Sequence, residues 1–324
     1  MAGWTHGFAM SESPTTVDLG VQPLADSGIA PARPAPRPLA RGASRMVRWG
    51  VLARTSPLAA LAVLYLLALV IVAIFADRIA PYDPLVGNFG EIRQPPSLLH
   101  LMGTDDGGRD VLSRIIFGAR ISLTVGLASV AVGDLLGLAW GLTSGYIAGR
   151  FDLISQRLLE VVLSFPDLIL GTMFMIVLGP GINTLIVAIA VTRVPAATRI
   201  IRSTTLSVKH RTYVESARSL GASPLRIMLQ HIAPQCVAPF LIIVSAHLGI
   251  AITTEAALSF LGVGVPPPAP SWGVMLAGVS SRFNPLWWLG VFPGLAIAST
   301  VLAANLAGDS LRDVLDPQLR GTGR

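Results

Sequence analysis

The chain has 324 residues, of which 52% are hydrophobic and 13% are charged, and its formal net charge is +6. A soluble globular domain usually carries about 25% charged residues, and a disordered chain combines low hydrophobicity with high charge. The composition excludes both classes for the chain as a whole and indicates an integral membrane protein. The positive charge could suggest nucleic-acid binding, but the basic residues do not cluster on one soluble domain, so we expect no nucleic-acid partner.

Residues 1–55 are polar and rich in proline, arginine, serine and alanine. Such a segment buries too little apolar surface to offset the entropy lost on ordering, and we expect a disordered cytoplasmic tail. Residues 57–76 carry no charge. At a rise of about 1.5 Å per residue they are long enough to cross the ~30 Å hydrocarbon core. Residues 56–118 are therefore interpreted as the first membrane helix followed by an extracytoplasmic segment.

Five further apolar spans predict an all-α membrane protein with six transmembrane helices. These spans lie at about 121–146, 158–179, 182–200, 237–262 and 287–307. Most arginines fall on the cytoplasmic side if both termini are cytoplasmic, which is the orientation that the positive-inside rule favours. Three regions complete the predicted organisation: a membrane core at 119–310, a cytoplasmic loop within it at 203–235, and a cytoplasmic C-terminal tail at 311–324.

The cytoplasmic loop begins with the pattern of a short helix that stops at a glycine. Tyr213, Ala217 and Leu220 are spaced for one helix face. Gly221 can end that helix, because glycine adopts the left-handed cap conformation at little cost. Ser223–Pro224 can begin the next helix, since serine caps helix N-termini and proline fits the first turn.

The two short helices form an elbow, residues 213–234. Its second helix is expected to end at Pro234, before the fifth span. It carries an apolar stripe formed by Leu225, Met228, Leu229 and Ile232. The elbow would therefore place apolar side chains on the cytoplasmic side of the membrane. Two interpretations remain open at this point: a pair of interfacial helices that lie on lipid, or a docking element for a cytoplasmic partner.

The elbow also contains a motif. Glu215-Ser216-Ala217 is followed by Gly221, four residues after the alanine, and by Pro234. This pattern resembles the EAA loop of bacterial ABC-importer permeases, with serine where alanine is usual at position 216, and His231–Pro234 resembles its peptide-type version. Other segments resemble the C-type permease subunit of dipeptide, oligopeptide and nickel importers, over roughly residues 55–320: His100–Gly126, Arg157–Pro166, Glu255–Leu276 and Gly308–Arg320.

The resemblance implies a type I ABC importer permease fold in the lipid of a bacterial cytoplasmic membrane. It implies a homologous second permease, two cytoplasmic ATPase subunits, and an extracytoplasmic binding protein that delivers peptides, nickel or related small solutes. ATP would be bound by the partners, since the only lysine, Lys209, lacks a phosphate-binding glycine loop. We expect no catalytic, cofactor or metal site in this chain. The implied ATPase-coupling residues are Tyr213, Glu215, Ser216, Ala217, Gly221, Leu225, His231 and Pro234.

Asp134 and Glu255 are ionisable residues within predicted spans. A charged side chain at mid-bilayer costs about 2.5–3.5 kcal/mol, so each should face protein or water. Both are candidates for the pathway or a gate, and the alternative for Glu255 is a helix–helix hydrogen bond. The second span also carries glycines at every fourth position, which permit close approach of another helix. We interpret them as packing residues of this subunit, the alternative being contact with the second permease: Gly133, Gly137, Gly141 and Gly145.

Two other functions compete with the importer permease. An intramembrane aspartyl protease needs two carboxylates that share a proton, and Asp134 and Asp167 are the candidates, although the G-x-G-D pattern is missing. An ATPase-independent channel or secondary transporter would not need the elbow, and the sequence has no evident inverted repeat. The importer permease is therefore the preferred hypothesis.

Overall fold

The computed structural model of the protein describes residues 57–280 and 286–315. The predicted tail at 1–55 lies outside this range, as do residues 316–324 of the predicted C-terminal tail. Within the range the chain is helical, and its one extended pairing is a bridge between Thr104 and Asp110. The all-α prediction is therefore confirmed.

The described residues contain eleven α-helices, a 3-10 turn at Phe89–Glu91 and a π-helical turn at Met228–Ile232. In chain order the helices are α1 Pro57–Ile74, α2 Ala76–Ile79, α3 Val111–Ile147, α4 Gly149–Leu163, α5 Asp167–Leu178, α6 Ile182–Lys209, α7 Thr212–Ser219, α8 Pro224–Ile227, α9 Ala233–Phe260, α10 Trp272–Ser280 and α11 Trp287–Leu315. Five segments are long and apolar enough to span a membrane, and α4 with α5 forms a sixth candidate. The six-span prediction holds when this pair is counted as one span.

The centre of the bundle is built from α3, α6 and α9. α3 and α6 run side by side, α9 packs against both, and α11 packs against α9. Four glycines allow the first of these contacts, because a side chain at their positions would collide with α6. A Cβ at Gly133 would lie 2.5 Å from the carbonyl oxygen of Ala190, and a Cβ at Gly137 would lie 2.5 Å from the Cβ of Ala197. This glycine row packs within the subunit; its members are Gly133, Gly137, Gly141 and Gly145.

The edge of the bundle is formed by α1. Most of its leucines are exposed, as in a helix that faces lipid, and its buried residues are small: Ala59, Ala62 and Ala73. Arg120 of α3 ties the outer end of α1 to the core by donating to the carbonyl oxygens of Ala73 and Ile74 at 2.9 and 3.1 Å. The same guanidinium donates to the carboxylate of Asp77 at 2.8 Å, and this hydrogen bond lowers the pKa of Asp77.

The third span is not the single straight helix predicted at 158–179. α4 ends at Leu163, α5 begins at Asp167, and the two axes differ by 87°. The bend occurs at Pro166, whose own ψ of 136° is extended. A proline favours such a break because it has no N–H to continue the helix and disfavours helical geometry in the residue before it. Hydropathy registers the apolar length of such a segment but not its direction.

Several helices continue beyond the apolar spans that the sequence marks. α3 begins at Val111, where the carboxylate of Asp110 accepts a hydrogen bond from the N–H of Ser113 at 2.8 Å. Residues 111–118 of the predicted extracytoplasmic segment are therefore helical and continuous with the second span. α6 continues past 200 to Lys209, and α11 continues past 307 into the predicted tail, to Leu315. Polar side chains in water do not interrupt backbone hydrogen bonds, so an apolar window underestimates helix length.

Pro234 does not end the second helix of the elbow, contrary to the prediction. α8 passes through the π turn into α9, and Pro224–Phe260 is one continuous span. The N–H of Ala233 bonds to the carbonyl oxygen of Met228, five residues earlier. Pro234 then falls in the first turn of α9, where a missing N–H is tolerated. The elbow is therefore joined directly to the fifth membrane span.

The extracytoplasmic platform (residues 80–110) is held against the outer ends of the membrane helices by buried polar contacts. The Nδ1 atom of His100 lies 2.9 Å from the carboxylate of Asp110, which caps α3. The indole N–H of Trp288, in the first turn of α11, donates to the carbonyl oxygen of Thr104 at 3.3 Å. The platform is thus fixed to two membrane helices.

Candidate coupling site and intramembrane charges

The elbow makes a sharp turn between two short helices. α7 ends at Ser219, and Gly221 takes a φ of +80°, a conformation that residues with a side chain rarely adopt. The hydroxyl of Ser223 then accepts a hydrogen bond from the N–H of Arg226 at 3.4 Å, and Pro224 opens α8. The glycine stop, the serine cap and the proline start expected from the sequence are all present.

Buried apolar side chains anchor the elbow, and the sequence analysis did not single out two of them. Val214 of α7 and Ile227 of α8 are almost fully buried. They belong to one apolar cluster with side chains of α3, α6 and the fifth span, which are Leu142, Ile201, Val208, Ile232 and Cys236. A displacement of the elbow would therefore be felt by three membrane helices at once.

The outward face of the elbow combines large apolar side chains with charge. Leu220 is 87% exposed and Leu225 is 61% exposed, and Glu215 is exposed close to them in the chain. Exposed apolar groups rimmed by polar ones are typical of interaction surfaces. Most of the predicted coupling residues are exposed, namely Tyr213, Glu215, Ser216, Gly221, Leu225 and Pro234, whereas Ala217 and His231 are half-buried.

Charged contacts fix the cytoplasmic ends of α3, α4 and α6 beside the elbow. Arg202 of α6 forms a two-pronged ion pair with Asp152 of α4, which also accepts a hydrogen bond from Ser144 of α3. Lys209, the last residue of α6, donates to the carbonyl oxygen of Tyr146 at 2.5 Å and lies over its ring. α7 thus begins just after a firmly held helix end.

Asp134 lies in the middle of α3 and is fully buried. Its Oδ1 atom is 2.7 Å from Nδ1 of His247 on α9, and its Oδ2 atom has no hydrogen-bond partner among the described residues. The pair joins two membrane helices in an apolar environment. Asp134 therefore takes part in a helix–helix hydrogen bond within this chain.

Glu255 of α9 is also fully buried. Its carboxylate accepts hydrogen bonds from Ser122 of α3 at 2.8 Å and from Ser259 at 2.9 Å. The buried hydroxyl of Ser271, next to α10, is a third donor. The cluster connects α3, α9 and α10, so Glu255 too forms a helix–helix hydrogen bond within this chain.

Asp167, the second carboxylate considered for a protease, is bonded elsewhere. It opens α5 and forms an ion pair with Arg193 of α6, whereas Asp134 is paired with His247. Each carboxylate has its own basic partner, so the two do not share a proton as an aspartyl-protease dyad does. The structure gives the protease alternative no support.

Comparison with known proteins agrees with this arrangement. Residues 135–321 match the family described as binding-protein-dependent transport system inner membrane component, and residues 53–96 match the N-terminal transmembrane domain of oligopeptide transport permease C. The glutathione transport system permease protein GsiD of Escherichia coli O1:K1 / APEC is 42% identical over 269 residues, which cover 83% of this chain and 89% of that protein. The di/tripeptide transport system permease protein DppC of Pseudomonas aeruginosa strain UCBPP-PA14 is 41% identical over 263 residues, covering 79% and 87%.

The fold is also similar to a solved structure, the MetNI methionine ABC transporter in inward-facing conformations. The TM-score is 0.53 at 18% identity, and the match covers 63% of this chain and 96% of that chain. At this identity the likeness concerns the fold alone, which is that of an ABC importer permease. Together with the family match over more than half of the sequence, it shows that the chain belongs to the binding-protein-dependent inner membrane components, as an oligopeptide-type ABC permease subunit of a bacterial inner membrane.

Proposed function

We propose that this chain forms one half of the translocation pathway of an ATP-driven importer of short peptides. A homologous second permease supplies the other half, two cytoplasmic ATPase subunits supply the energy, and an extracytoplasmic binding protein delivers the substrate. The elbow is the observation that carries the proposal, because it presents an exposed apolar surface that also carries Glu215, while its buried side chains pack against three membrane helices.

Short peptides are the substrate class that the relatives favour. GsiD is named for glutathione, which is itself a tripeptide, and DppC is named for di- and tripeptides. Both cover most of this chain at a similar identity. Nickel and other small solutes are the alternative within the same family resemblance.

The geometry of the elbow suggests how ATP binding moves the pathway. The ATPase subunits close when they bind ATP, and an elbow seated on one of them moves with it. α8 continues into α9 without a break, while Val214 and Ile227 press on α3 and α6. Because ATP binds one arrangement more tightly than the other, it shifts the population between two states of the membrane helices.

Purification of the tagged chain from its native membrane in mild detergent tests the assembly. A second permease and ATPase subunits should accompany it, and di- or tripeptides presented with the binding protein should stimulate ATP hydrolysis by the complex. A lone homo-oligomer, with the partners expressed but absent, would contradict the proposal and favour a channel. Stimulation by nickel in place of peptides would replace the substrate class.

Replacement of Glu255 by glutamine should leave assembly and peptide uptake unchanged, since the amide oxygen can accept from one of Ser122 and Ser259 and the amide N–H can donate to the hydroxyl of the other. Replacement by leucine leaves buried hydroxyls without an acceptor and should destabilise the subunit by about 1–3 kcal/mol. Thermal unfolding in detergent and initial uptake rates measure the two effects. An altered KM in the glutamine variant, with normal assembly, would instead place Glu255 in the pathway.

A further inference from the structure

The bent third span carries a line of exposed polar residues that neither the elbow nor the helix packing uses. On α4 and its C-terminal cap, three exposed polar residues are spaced by three and four positions, so they share one helix face. A different exposed face of α4 is apolar and carries Ile154, Leu158 and Val161. The apolar face suits lipid, whereas the polar face requires water or polar protein. With the first residue of α5, the polar line is Arg157, Glu160, Ser164 and Asp167.

The line reaches the middle of the membrane at Asp167. Its partner Arg193 lies about 17 Å from Ile182 at the outer end of α6, and about 24 Å from Lys209 at the inner end, at a rise of about 1.5 Å per residue. A hydrocarbon core of about 30 Å centred on α6 therefore contains the ion pair. The ion pair therefore lies too deep for the short side chain of Asp167 to reach either membrane surface.

Asp167 is half-exposed at this depth. Its side chain is 48% exposed, whereas that of Arg193 is 5% exposed. Arg193 donates to Oδ2, and Oδ1 accepts no hydrogen bond from the part of the chain that the structure describes. A charged group in the membrane interior faces protein or a water-filled cavity and not hydrocarbon. Asp134, at a similar depth, satisfies that requirement by complete burial, so Asp167 must find its polar surroundings beyond the described residues.

Water fits these surroundings better than a second subunit does. Arg157 and Glu160 form an ion pair of 2.7 Å that is itself open to the surroundings, and the exposed polar groups continue from there to Asp167. Close contacts between membrane helices use small residues, as the glycine row does against α6. A row of exposed charged and polar side chains is instead typical of the wall of an aqueous pathway.

We infer that the polar line faces the aqueous translocation pathway, and that Oδ1 of Asp167 accepts a hydrogen bond from the ammonium group of a passing peptide. Arg193 orients the carboxylate by holding Oδ2, which leaves Oδ1 directed to the substrate. This inference rests on the proposed function and adds a substrate contact to it.

Cysteine labelling tests whether the line faces water. Cys236 is the only cysteine of the sequence and is buried, so Cys236→Ala provides a background without thiols. Ser164→Cys in this background keeps the Asp167–Arg193 pair intact. In inside-out membrane vesicles without nucleotide, it should react with a charged, membrane-impermeant methanethiosulfonate, and a saturating dipeptide should slow the reaction at least threefold.

Ile176→Cys is the matched control, because Ile176 is highly exposed on α5 next to the exposed apolar side chains of Met173 and Val177. It should stay unmodified under the same conditions. Equal lack of reaction at both positions would overturn the inference. Labelling depends on water at the cysteine and not on coupling to ATP, so a failure of the proposed function would appear separately, as missing partners in the purification.

Asp167→Asn tests the ammonium contact. The amide keeps the size of the side chain and an acceptor for Arg193 but loses the charge, so kcat/KM for a free dipeptide should fall about tenfold, the value of one charge-assisted hydrogen bond. Uptake of the N-acetylated dipeptide should change much less. Asp152→Asn, which removes the charge from another arginine-paired carboxylate, should affect both peptides equally. An unchanged ratio of the two peptides in Asp167→Asn, relative to wild type, would overturn the contact.

Discussion

Glu215→Lys is expected to abolish ATP-driven uptake while the chain remains folded, inserted and paired with the second permease. Glu215 is exposed on α7 and contributes nothing to the buried anchor formed around Val214 and Ile227. Charge reversal should therefore weaken the proposed contact with the ATPase and leave the fold intact. Loss of about 1.4 kcal/mol of contact free energy weakens binding tenfold. We therefore expect the amount of ATPase that co-purifies with the chain to fall by at least this factor.

Asp313→Lys serves as the control for charge. Asp313 is an exposed carboxylate near the cytoplasmic end of α11, and its reversal should leave uptake within about twofold of wild type. Peptide uptake and peptide-stimulated ATP hydrolysis in proteoliposomes report both variants. Wild-type uptake by Glu215→Lys would remove the coupling role of the elbow.

Gly221 offers a second test of the same surface, this time through the backbone. Proline cannot adopt a φ of +80°, so Gly221→Pro should redirect α8 relative to α7 and uncouple uptake from ATP hydrolysis. Gly221→Ala is the matched variant. A Cβ at this position meets no other atom within 4 Å, so alanine carries only the left-handed strain of about 1–2 kcal/mol and should retain most uptake. Equal activity of the two variants would contradict the argument.

Gly133→Ala should destabilise the subunit strongly although it adds a single methyl group. The new Cβ would lie 2.5 Å from the carbonyl oxygen of Ala190, which belongs to the backbone of α6 and cannot rotate away. Relief requires separation of α3 from α6, and overpacking of this kind costs about 1–3 kcal/mol. The midpoint of thermal unfolding in detergent, followed by size-exclusion chromatography, should fall by several degrees.

Gly294→Ala is the corresponding control on α11. No atom lies within 4 Å of a Cβ at that position, and alanine favours a helix over glycine by about 0.5–1 kcal/mol. Its unfolding temperature should therefore match or exceed that of wild type. A similar loss in both glycine variants would show that the cost arises from the membrane helix in general and not from the contact with α6.

The sequence predicted the elbow well because its turns depend on local chemistry. Gly221, Ser223 and Pro224 act through backbone preferences that extend over three or four residues. Val214 was missed because a helix of eight residues gives too little periodicity to decide whether Tyr213 or its neighbour faces inward. Only packing in the apolar cluster with α3, α6 and the fifth span determines that Val214 is the anchor.

The difference between local backbone preferences and contacts between helices also explains the errors at the two prolines. Pro166 lies at a bend and Pro234 inside a continuous helix, although both follow apolar segments in the sequence. The π turn before Pro234 removes the conflict between its ring and the preceding carbonyl groups, and no single-residue preference foretells such a turn. The partners of Asp134 and Glu255 were equally unpredictable, since His247 and Ser122 are 113 and 133 residues away.

The bond between Arg120 and the end of α1 has a consequence for the height of the molecule above the bilayer. A guanidinium that holds the last carbonyl groups of a lipid-facing helix belongs at the level of the phospholipid head groups. Residues 111–119 of α3 precede Arg120, and they rise about 13 Å beyond that level. The first nine residues of α3 therefore hold the platform above the bilayer. A soluble protein can reach the platform without entering the crowded layer of lipid head groups.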